Sequence, residues 1–166
     1  MAAGDRRLAK NLSRRDQIKL SEAEQQALLQ AERIVSVASN GPRGWPHVMP
    51  LWYVPRGDRI WIWTYAKSQK VLNLERDSRA TLLIEAGVEY GELRGLQIES
   101  EAVLHRDFET VFEFASELTV RYAEGIDSVQ GDAAESLRSQ APKRVAVEFE
   151  PRRVASWDHR KLGGTY

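Results

Sequence analysis

Residues 33–64, RIVSVASNGPRGWPHVMPLWYVPRGDRIWIWT, contain three short runs of β-branched and aromatic residues. Turn-forming residues at 40–44 separate the first run from the second, and those at 55–58 separate the second from the third. Runs bounded by Gly, Pro, Asn and Asp in this way predict β-strands joined by hairpins. Such short connections leave no room for the crossover helix that parallel strands need, so the pattern predicts antiparallel pairing.

The third run alternates in a way that assigns its two faces. In a strand over 59–64, Ile60 and Ile62 fall on one side, and Trp61 and Trp63 fall on the other.

The second strand, predicted over 46–54, carries two prolines. Pro46 and Pro50 cannot donate the hydrogen bonds of a β-ladder. Part of this strand is therefore expected to face a sheet edge, a bulge or a ligand. An edge strand that proline protects from aggregation would have the same pattern, so a purely structural role stays open.

The rest of the chain predicts three further strands and four helices. The strands are expected at 79–85, 96–105 and 143–149, and the helices at 21–32, 66–77, 107–122 and 130–139. Ser21 and Glu24 form a capping box, and Ser68 suits an N-cap. The predicted apolar face of the third helix comprises Phe108, Val111, Phe112, Ala115, Leu118 and Tyr122. Six strands joined mostly by hairpins predict a mainly β fold, an antiparallel β-barrel with flanking helices.

The composition excludes several classes of protein. The 166-residue chain has no cysteine, which excludes a disulfide scaffold, a zinc-thiolate site, an iron–sulfur site and cysteine catalysis. Its 24 basic and 24 acidic residues balance, so bulk attraction to nucleic acid or to an anionic membrane is not expected. No apolar run approaches the roughly 18 residues of a membrane helix, and the N-terminal sequence lacks the apolar stretch of a secretory signal. We therefore expect a cytoplasmic protein.

The N-terminal residues differ in charge from the rest of the chain. Residues 1–20 hold six basic and two acidic side chains, a local net charge of +4. We interpret them as a basic N-terminal arm, either solvated or in contact with a partner subunit or an anionic ligand. Residues 21–166 are interpreted as a single domain.

Ser68 and Lys70 form the strongest local pattern for binding chemistry. They lie where a predicted strand gives way to a helix, and a helix N-terminus exposes unpaired N–H groups and partial positive charge. A hydroxyl and an ammonium at that end complete a cradle for a phosphate. A helix cap beside a surface lysine gives the same short pattern, so the structural alternative stays open.

Other catalytic and metal-binding motifs are missing from the sequence. His47, His105 and His159 are far apart and lack the spacing of metal ligands, so no metal site is predicted. Neither a G-x-G-x-x-G nor a Walker sequence is present, and no G-x-S-x-G motif marks an activated serine. His47, Asp158 and His159 are candidate proton donors, but no catalytic residue is assigned.

Taken in order, several motifs resemble one known family. They are G-x-P-H-V-x-P-x-W at 44–52, I-W-I-W-T at 60–64, K-S-Q-K-V-x-N-L at 67–74, R-D-x-R at 76–79, Y-x-x-L-R-G at 90–95, K-R-V at 143–145 and S-W-D-H-R-K-L at 156–162. This set looks like the pyridoxamine 5'-phosphate oxidase-like, FMN-binding split β-barrel superfamily. Within it, the set is most similar to the actinobacterial branch of reductases that depend on the deazaflavin coenzyme F420. The resemblance covers about residues 25–162.

The resemblance implies a six-stranded antiparallel split β-barrel that forms a homodimer with the cofactor at the subunit interface. It implies that Ser68 and Lys70 hold the cofactor phosphate. The strand that would lie against the flavin or deazaflavin ring comprises His47, Val48, Met49 and Pro50. Trp157 and Lys161 match a C-terminal segment that approaches the cofactor of the neighbouring subunit. Thr64 and Arg94 are also carried over as cofactor-binding residues.

Two departures from the family pattern bear on the activity. Oxidases that act on pyridoxamine phosphate commonly have S-R-K where this chain has S-Q-K at 68–70. Their C-terminal Arg-Leu-His substrate segment is replaced here by W-D-H-R-K at 157–161. Both departures argue against vitamin B6 oxidation, and they weaken the case for tight FMN binding.

The resemblance therefore implies an oxidoreductase that uses reduced coenzyme F420 to transfer hydride to an unsaturated small molecule. One alternative is an FMN-dependent protein of the same fold. Another is a non-catalytic protein that binds F420, a fatty acid or a haem-like ligand. A nucleic-acid-binding module that uses the basic arm is disfavoured by the zero net charge.

Overall fold

Six antiparallel strands close into a barrel in the computed structural model, which describes residues 13–163. Around the barrel the strands follow the order β1-β2-β3-β6-β5-β4. Their bounds are β1 (Ile34–Asn40), β2 (Pro46–Arg56), β3 (Arg59–Tyr65), β4 (Arg79–Ala86), β5 (Arg94–His105) and β6 (Arg144–Asp158). The predicted fold class, a six-stranded antiparallel split β-barrel with flanking helices, is confirmed.

Helices occupy several of the connections between strands. They are α1 (Arg14–Gln17), α2 (Glu22–Ala31), α3 (Gln69–Arg76), α4 (Phe108–Tyr122) and α5 (Gly131–Gln140). The capping box of α2 forms as predicted, because the Ser21 hydroxyl accepts from the backbone of Glu24 and the Glu24 carboxylate accepts from the backbone of Ser21. No helix in this part of the chain is long and apolar enough to cross a membrane.

Two apolar clusters lie on the two sides of the barrel wall. The interior cluster includes Val35, Val37, Tyr53, Ile60, Ile62, Leu82, Ile84, Val147 and Phe149. A second cluster lies outside, where α4 covers β2, β3 and β6, and includes Val54, Trp61, Val111, Phe114, Leu118 and Ala146. The alternation predicted for β3 is therefore correct, with its isoleucines inside and its tryptophans outside.

The barrel is split between β2 and β3. These strands pair only where Tyr53–Arg56 meet Arg59–Ile62. Over residues 46–52, β2 pairs with β1 along one edge, and no strand in residues 13–163 pairs with the other edge. Pro46 and Pro50 lie in this stretch, and of the three settings expected for it, a sheet edge, a bulge or a ligand, the structure shows the sheet edge.

The sixth strand is longer than predicted. We expected it to end at Phe149. The structure continues β6 to Asp158 in partnership with β5, and the register shifts where Ser100 faces Pro151. A β-bulge at this point accommodates the proline, so the prediction of the strand end was wrong.

The apolar face predicted for α4 is partly wrong. Val111, Ala115 and Leu118 are buried as expected, but so is Phe114, which the prediction left out. Phe108 is exposed and stacks on Phe112 instead of entering the core. Because α4 lies across three strands, it buries a broader face than one stripe of helical spacing describes.

Part of the predicted N-terminal arm packs against the end of β6. The backbone N–H of Asp158 donates to the carbonyl of Ile18 over 2.8 Å, and that of Leu20 donates to the Ser156 hydroxyl over 3.0 Å. Leu20 is buried in the interior cluster. Residues 1–12 of the predicted arm lie outside the described residues.

Candidate functional site

Lys70 is a buried lysine without a carboxylate partner. It lies in the first turn of α3, and only 8% of its surface is exposed. Its Nζ donates a hydrogen bond to Thr64 Oγ1 at the end of β3, over 3.0 Å. Within residues 13–163, no carboxylate lies at ion-pair distance from this ammonium. A buried cation with only a neutral partner suits the binding of an anion.

The pKa of Lys70 responds to this environment. Burial lowers the pKa below its usual range, because it penalises the charged form, and the nearby positive charge of Arg144 lowers it further. A bound anion would oppose both effects and stabilise the ammonium. The site is therefore electrostatically prepared for a negative ligand.

Ser68 brings a second group to the same place. It is the N-cap residue of α3, but its hydroxyl makes no capping hydrogen bond, and its buried Oγ has no hydrogen-bond partner among residues 13–163. The first turn of a helix also leaves backbone N–H groups without intrahelical partners. Ser68, Lys70 and the start of α3 thus lie together where the sequence predicts a phosphate cradle, and the binding of a phosphate there stays a prediction.

Arg144 completes the positive charge of this region. It lies opposite Tyr65 in the pairing of β3 with β6. Its Cζ lies 3.4 Å from the centroid of the Tyr65 ring and 4.4 Å from that of the Trp63 ring. The sequence places Arg144 in the K-R-V motif at 143–145 but gives it no role, and the pairing of β6 with β3 brings it here.

A cavity of about 340 Å³ opens between the unpaired part of β2, the end of β3 and α4. It is lined by Pro50, Leu51, Trp52, Trp63, Ala115, Leu118, Thr119 and Arg144. The walls are mostly apolar and aromatic. A pocket of this kind with a few polar groups is typical of small-molecule sites.

The predicted ring-binding segment of β2 lies beside this cavity. Val48, Met49 and Pro50 are exposed, and Pro50 lines the cavity. His47 faces Ser39 across the β1–β2 pairing, and its buried Nδ1 has no hydrogen-bond partner in the described part of the chain. The structure thus brings His47–Pro50, Thr64, Ser68 and Lys70 to one side of the barrel.

Arg94, Trp157 and Lys161 lie elsewhere in the same chain. Trp157 pairs with Gly95 near the end of β6, whereas Arg144 begins that strand, and an extended strand of this length spans roughly 40 Å. The Trp157 ring covers Gly95 so closely that an added Cβ would come within 2.5 Å of its Cζ2. One chain therefore does not bring these residues to the Lys70 cradle.

The charged groups at that end already have partners. The Lys161 ammonium donates to the Glu24 carboxylate and to the Lys19 carbonyl, each over 2.7 Å. The hydrogen bond from Lys161 is the main reason that the pKa of Glu24 lies below its usual value. Arg94 has a longer contact of 3.7 Å with Glu32. Lys161 thus ties the N-terminal segment to the end of the barrel.

The other two histidines make contacts of their own. His105 Nε2 lies 2.8 Å from Glu148 Oε2, and His159 Nδ1 lies 2.9 Å from the carbonyl of Tyr90. No group of three His, Asp or Glu side chains in residues 13–163 is arranged to hold a metal ion.

A larger groove of about 700 Å³ lies on another part of the barrel surface. Its lining includes Ser39, Arg79, Glu99, Ser100, Glu101 and Arg152. The charged residues here pair with acidic or basic neighbours, as Arg152 does with Glu101 over 2.7 Å. The smaller cavity is therefore the better candidate, because it is lined by Arg144, which has no carboxylate partner within residues 13–163.

Comparisons with known proteins agree with this fold. The sequence profile of the family described as pyridoxamine 5'-phosphate oxidase matches residues 21–158. No curated protein matched the sequence. Among solved structures, the conserved hypothetical protein Rv2991 from Mycobacterium tuberculosis is 36% identical, with a TM-score of 0.82 and coverage of 92% of this chain and 93% of that one.

Two more distant structures share the fold. An F420 reductase is 18% identical, with a TM-score of 0.60 and coverage of 78% of this chain and 94% of its own. An FAD-binding protein from Mesorhizobium loti is 14% identical, with a TM-score of 0.60 and coverage of 83% and 94%. The family profile spans the barrel from α2 to the end of β6, and the chain therefore belongs to the pyridoxamine 5'-phosphate oxidase family.

Proposed function

We propose that this protein is an oxidoreductase that binds coenzyme F420 in the split between β2 and β3. In this proposal the reduced cofactor serves to transfer hydride to an unsaturated small molecule. The observation that carries the proposal is the buried Lys70 ammonium, which has no carboxylate partner in the described part of the chain and lies beside the unpartnered Ser68 hydroxyl.

The residues present fit the phosphate of such a cofactor. A phosphate accepts several hydrogen bonds and carries negative charge, and Ser68, Lys70 and the first turn of α3 offer a hydroxyl, an ammonium and backbone N–H groups. Family membership supports a flavin-like ligand. Two proteins of the same fold are named for F420 and for FAD, which supports this class of ligand further.

Each group of residues has a distinct part in the proposal. Ser68 and Lys70 hold the phosphate, and the hydrogen bond from Lys70 to Thr64 orients the ammonium. The unpaired edge of β2 from His47 to Pro50 offers a flat surface to the ring. The apolar wall formed by Trp52 and Trp63 excludes water from the reacting end. The bound reduced cofactor would supply the hydride. The part of the protein is to bind the cofactor, to position it and to shield its reacting end from water.

We further propose that the protein works as a homodimer. Large apolar side chains are exposed on and next to the unpaired part of β2, including Trp45, Val48, Met49 and Trp52. A partner covering this face would remove them from water. A second copy is also needed if Trp157 is to contact the same cofactor as Lys70, because the two lie far apart in one chain.

A parallel titration tests the cofactor. Purified protein is titrated with oxidised F420 and with FMN while the fluorescence of each ligand is followed. The proposal predicts micromolar or tighter binding of F420 and weaker binding of FMN. A clear preference for FMN would instead support the FMN-dependent alternative.

Turnover is tested separately from binding. Protein loaded with reduced F420 is mixed with a panel of quinones and enones, and the oxidation of the cofactor is followed by absorbance. The proposal predicts oxidation that depends on the acceptor. Tight binding without turnover across the panel would favour a protein that carries or sequesters the cofactor.

A further inference from the structure

Two residues that line the cavity between β2, β3 and α4 each carry a buried nitrogen donor without an acceptor in residues 13–163. The two donor atoms are Trp63 Nε1 and Arg144 Nε. Both residues line the same cavity, whose remaining walls are mostly apolar. Because a buried donor without an acceptor destabilises a protein, two such donors on residues that line one cavity point to a ligand that supplies the missing acceptors.

The charge of the cavity indicates which class of ligand it can bind. Arg144 has no carboxylate at ion-pair distance in residues 13–163, and its one hydrogen bond donates to the neutral Gln140 amide oxygen over 3.3 Å. The other cation nearby, Lys70, adds to the positive potential. A negatively charged acceptor is therefore favoured over a neutral one.

The shape of the cavity limits the class of ligand further. Trp52 stacks on Tyr122 with ring centroids 4.6 Å apart, which fixes one aromatic wall, and Trp63 forms another. A volume of about 340 Å³ falls at the small end of the range of roughly 300–1,000 Å³ for ligand sites. Flat aromatic walls suit a planar body, since rings gain from offset stacking.

We propose that this cavity is a substrate subsite for a planar conjugated carboxylate, with Arg144 and Trp63 donating hydrogen bonds to its oxygens. The proposal rests on the oxidoreductase function proposed above, which it deepens by naming a substrate class. Arg144 supplies charge and one donor, Trp63 supplies the other donor and a flat wall, and Leu51 and Leu118 supply apolar contact. Binding at this subsite does not require the cofactor.

The first test measures binding by the protein without cofactor. Calorimetry compares 2-naphthoate with methyl 2-naphthoate, which has the same ring system but no charge. The subsite predicts that the carboxylate binds about tenfold more tightly than the ester. Equal affinity for the two compounds would overturn the proposal, and so would no binding of either.

Two variants test whether the preference for naphthoate over its ester comes from Arg144 and Trp63. Arg144→Gln is expected to weaken naphthoate binding about tenfold and ester binding less than about twofold, because it removes the charge. Trp63→Phe keeps a flat ring and removes the N–H, so a smaller loss of about threefold to fivefold is expected. Thermal melting of both variants checks that they fold, and Arg144→Lys, which keeps the charge, should retain part of the preference.

Arg138 provides a matched control. Its guanidinium lies 4.4 Å from the centroid of the Phe112 ring, the same distance as that from Arg144 to Trp63, but it does not line the cavity. Arg138→Gln should leave naphthoate affinity unchanged. If Arg138→Gln and Arg144→Gln lower the affinity equally, the effect is one of general surface charge and the proposal fails.

A spectroscopic readout identifies the indole directly. The chain has five tryptophans, so a nitrogen-15 spectrum has five indole N–H signals, and Trp63→Phe assigns one of them. Naphthoate should move the Trp63 signal downfield as its N–H gains an acceptor, and the ester should move it less. A Trp63 signal that naphthoate does not move would contradict the proposal.

The test separates this proposal from the proposed function. Lys70→Met should weaken cofactor binding and should lower the preference for carboxylate over ester less than Arg144→Gln does, because Lys70 does not line the cavity. If F420 and FMN both fail to bind while naphthoate behaves as predicted, the subsite stands and the cofactor assignment fails. If the cofactor binds while naphthoate does not, the subsite fails and the cofactor assignment stands.

Discussion

The ammonium of Lys70 lies 3.0 Å from the hydroxyl oxygen of Thr64 and has no carboxylate partner among residues 13–163. If the protein bound no ligand here, this buried charge with only a neutral partner would simply lower the stability of the folded protein. In the proposed function, the same lysine would instead stabilise the bound phosphate of the cofactor.

Lys70→Met should stabilise the protein without ligand and weaken its binding of cofactor. Removing a buried charge that lacks a partner is expected to raise the free energy of unfolding by about 1–2 kcal/mol, whereas loss of a charged hydrogen bond to phosphate costs about 1.5–3 kcal/mol of binding. Thermal melting and fluorescence titration measure the two effects.

Lys67→Met is the control for this experiment. Lys67 is exposed and lies three residues before Lys70. Its replacement should change neither the melting temperature nor the cofactor affinity by much. If Lys67→Met weakens binding as strongly as Lys70→Met does, the cradle is not centred on Lys70.

The affinity for an anionic cofactor should fall at alkaline pH. The pKa of Lys70 is lowered by burial and by Arg144, so the ammonium loses its proton at a pH below the ordinary value of 10.5. Affinity should therefore fall as pH rises through the pKa of Lys70. Titrations from pH 7 to pH 10 measure this, and Lys70→Met should remove the dependence. A wild-type affinity that stays constant over this range would argue against an ionised Lys70 at the phosphate.

Stability without ligand should change in the opposite direction over the same window. The unfolded chain holds its proton on Lys70 up to about pH 10.5, whereas the folded chain releases it at lower pH. Stability contributed by this group therefore rises as pH rises through the folded pKa. Urea unfolding of wild type and Lys70→Met across this range isolates the contribution as their difference.

Glu148 supports the outer wall of the barrel through two partners. Its carboxylate is buried and accepts from Arg59, and its Oε2 lies 2.8 Å from His105 Nε2. Burial raises the pKa of Glu148, but the hydrogen bonds from Arg59 and His105 outweigh burial and hold it below its usual value. Stability from this group is thus present at neutral pH and lost as pH falls through the folded pKa.

Glu148→Gln should therefore cost stability at neutral pH. A loss of about 1–3 kcal/mol is expected in urea unfolding at pH 7, with a smaller difference from wild type at pH 3. Glu101→Gln breaks the exposed pair with Arg152 and should cost less than about 0.5 kcal/mol. A Glu148→Gln protein as stable as wild type at pH 7 would show that the buried contacts contribute nothing.

The proposed dimer predicts that a charge at one exposed valine disrupts dimerisation and that a charge at another does not. Val48→Glu places a charge on the exposed apolar face of β2, whereas Val88→Glu places it on a valine that is 90% exposed in the connection before β5. Val48→Glu should lower the mass measured by light scattering from that of a dimer to that of a monomer, and Val88→Glu should not. A wild-type protein that is monomeric at high micromolar concentration would refute the dimer.

Much of the barrel could be predicted because the patterns that define its strands and turns lie within short stretches of sequence. The runs around Val35, Tyr53 and Ile62 alternate with a period of two and end at turn residues, and Pro46 and Pro50 mark the unpaired stretch of β2. The end of β6 could not be predicted, because Pro151 is tolerated only through a bulge opposite β5.

The candidate site was predicted in part for the same reason. Ser68 and Lys70 are neighbours in sequence at a helix start, so their proximity is local. Arg144 reaches the site only because β6 pairs with β3, and no spacing in the sequence reports that pairing. The contacts that tie Lys161 to Glu24 are likewise long-range, and a pattern read along the chain does not contain them.

The proposed function depends most on the binding of the cofactor phosphate by Ser68 and Lys70. The most direct measurement compares the affinity of F420 with that of its phosphate-free deazaflavin riboside, in the wild type and in Lys70→Met. We predict that the wild type prefers F420 by about tenfold or more, and that Lys70→Met loses most of this preference while it binds the riboside as the wild type does. An equal preference for F420 in the two proteins would contradict the claim.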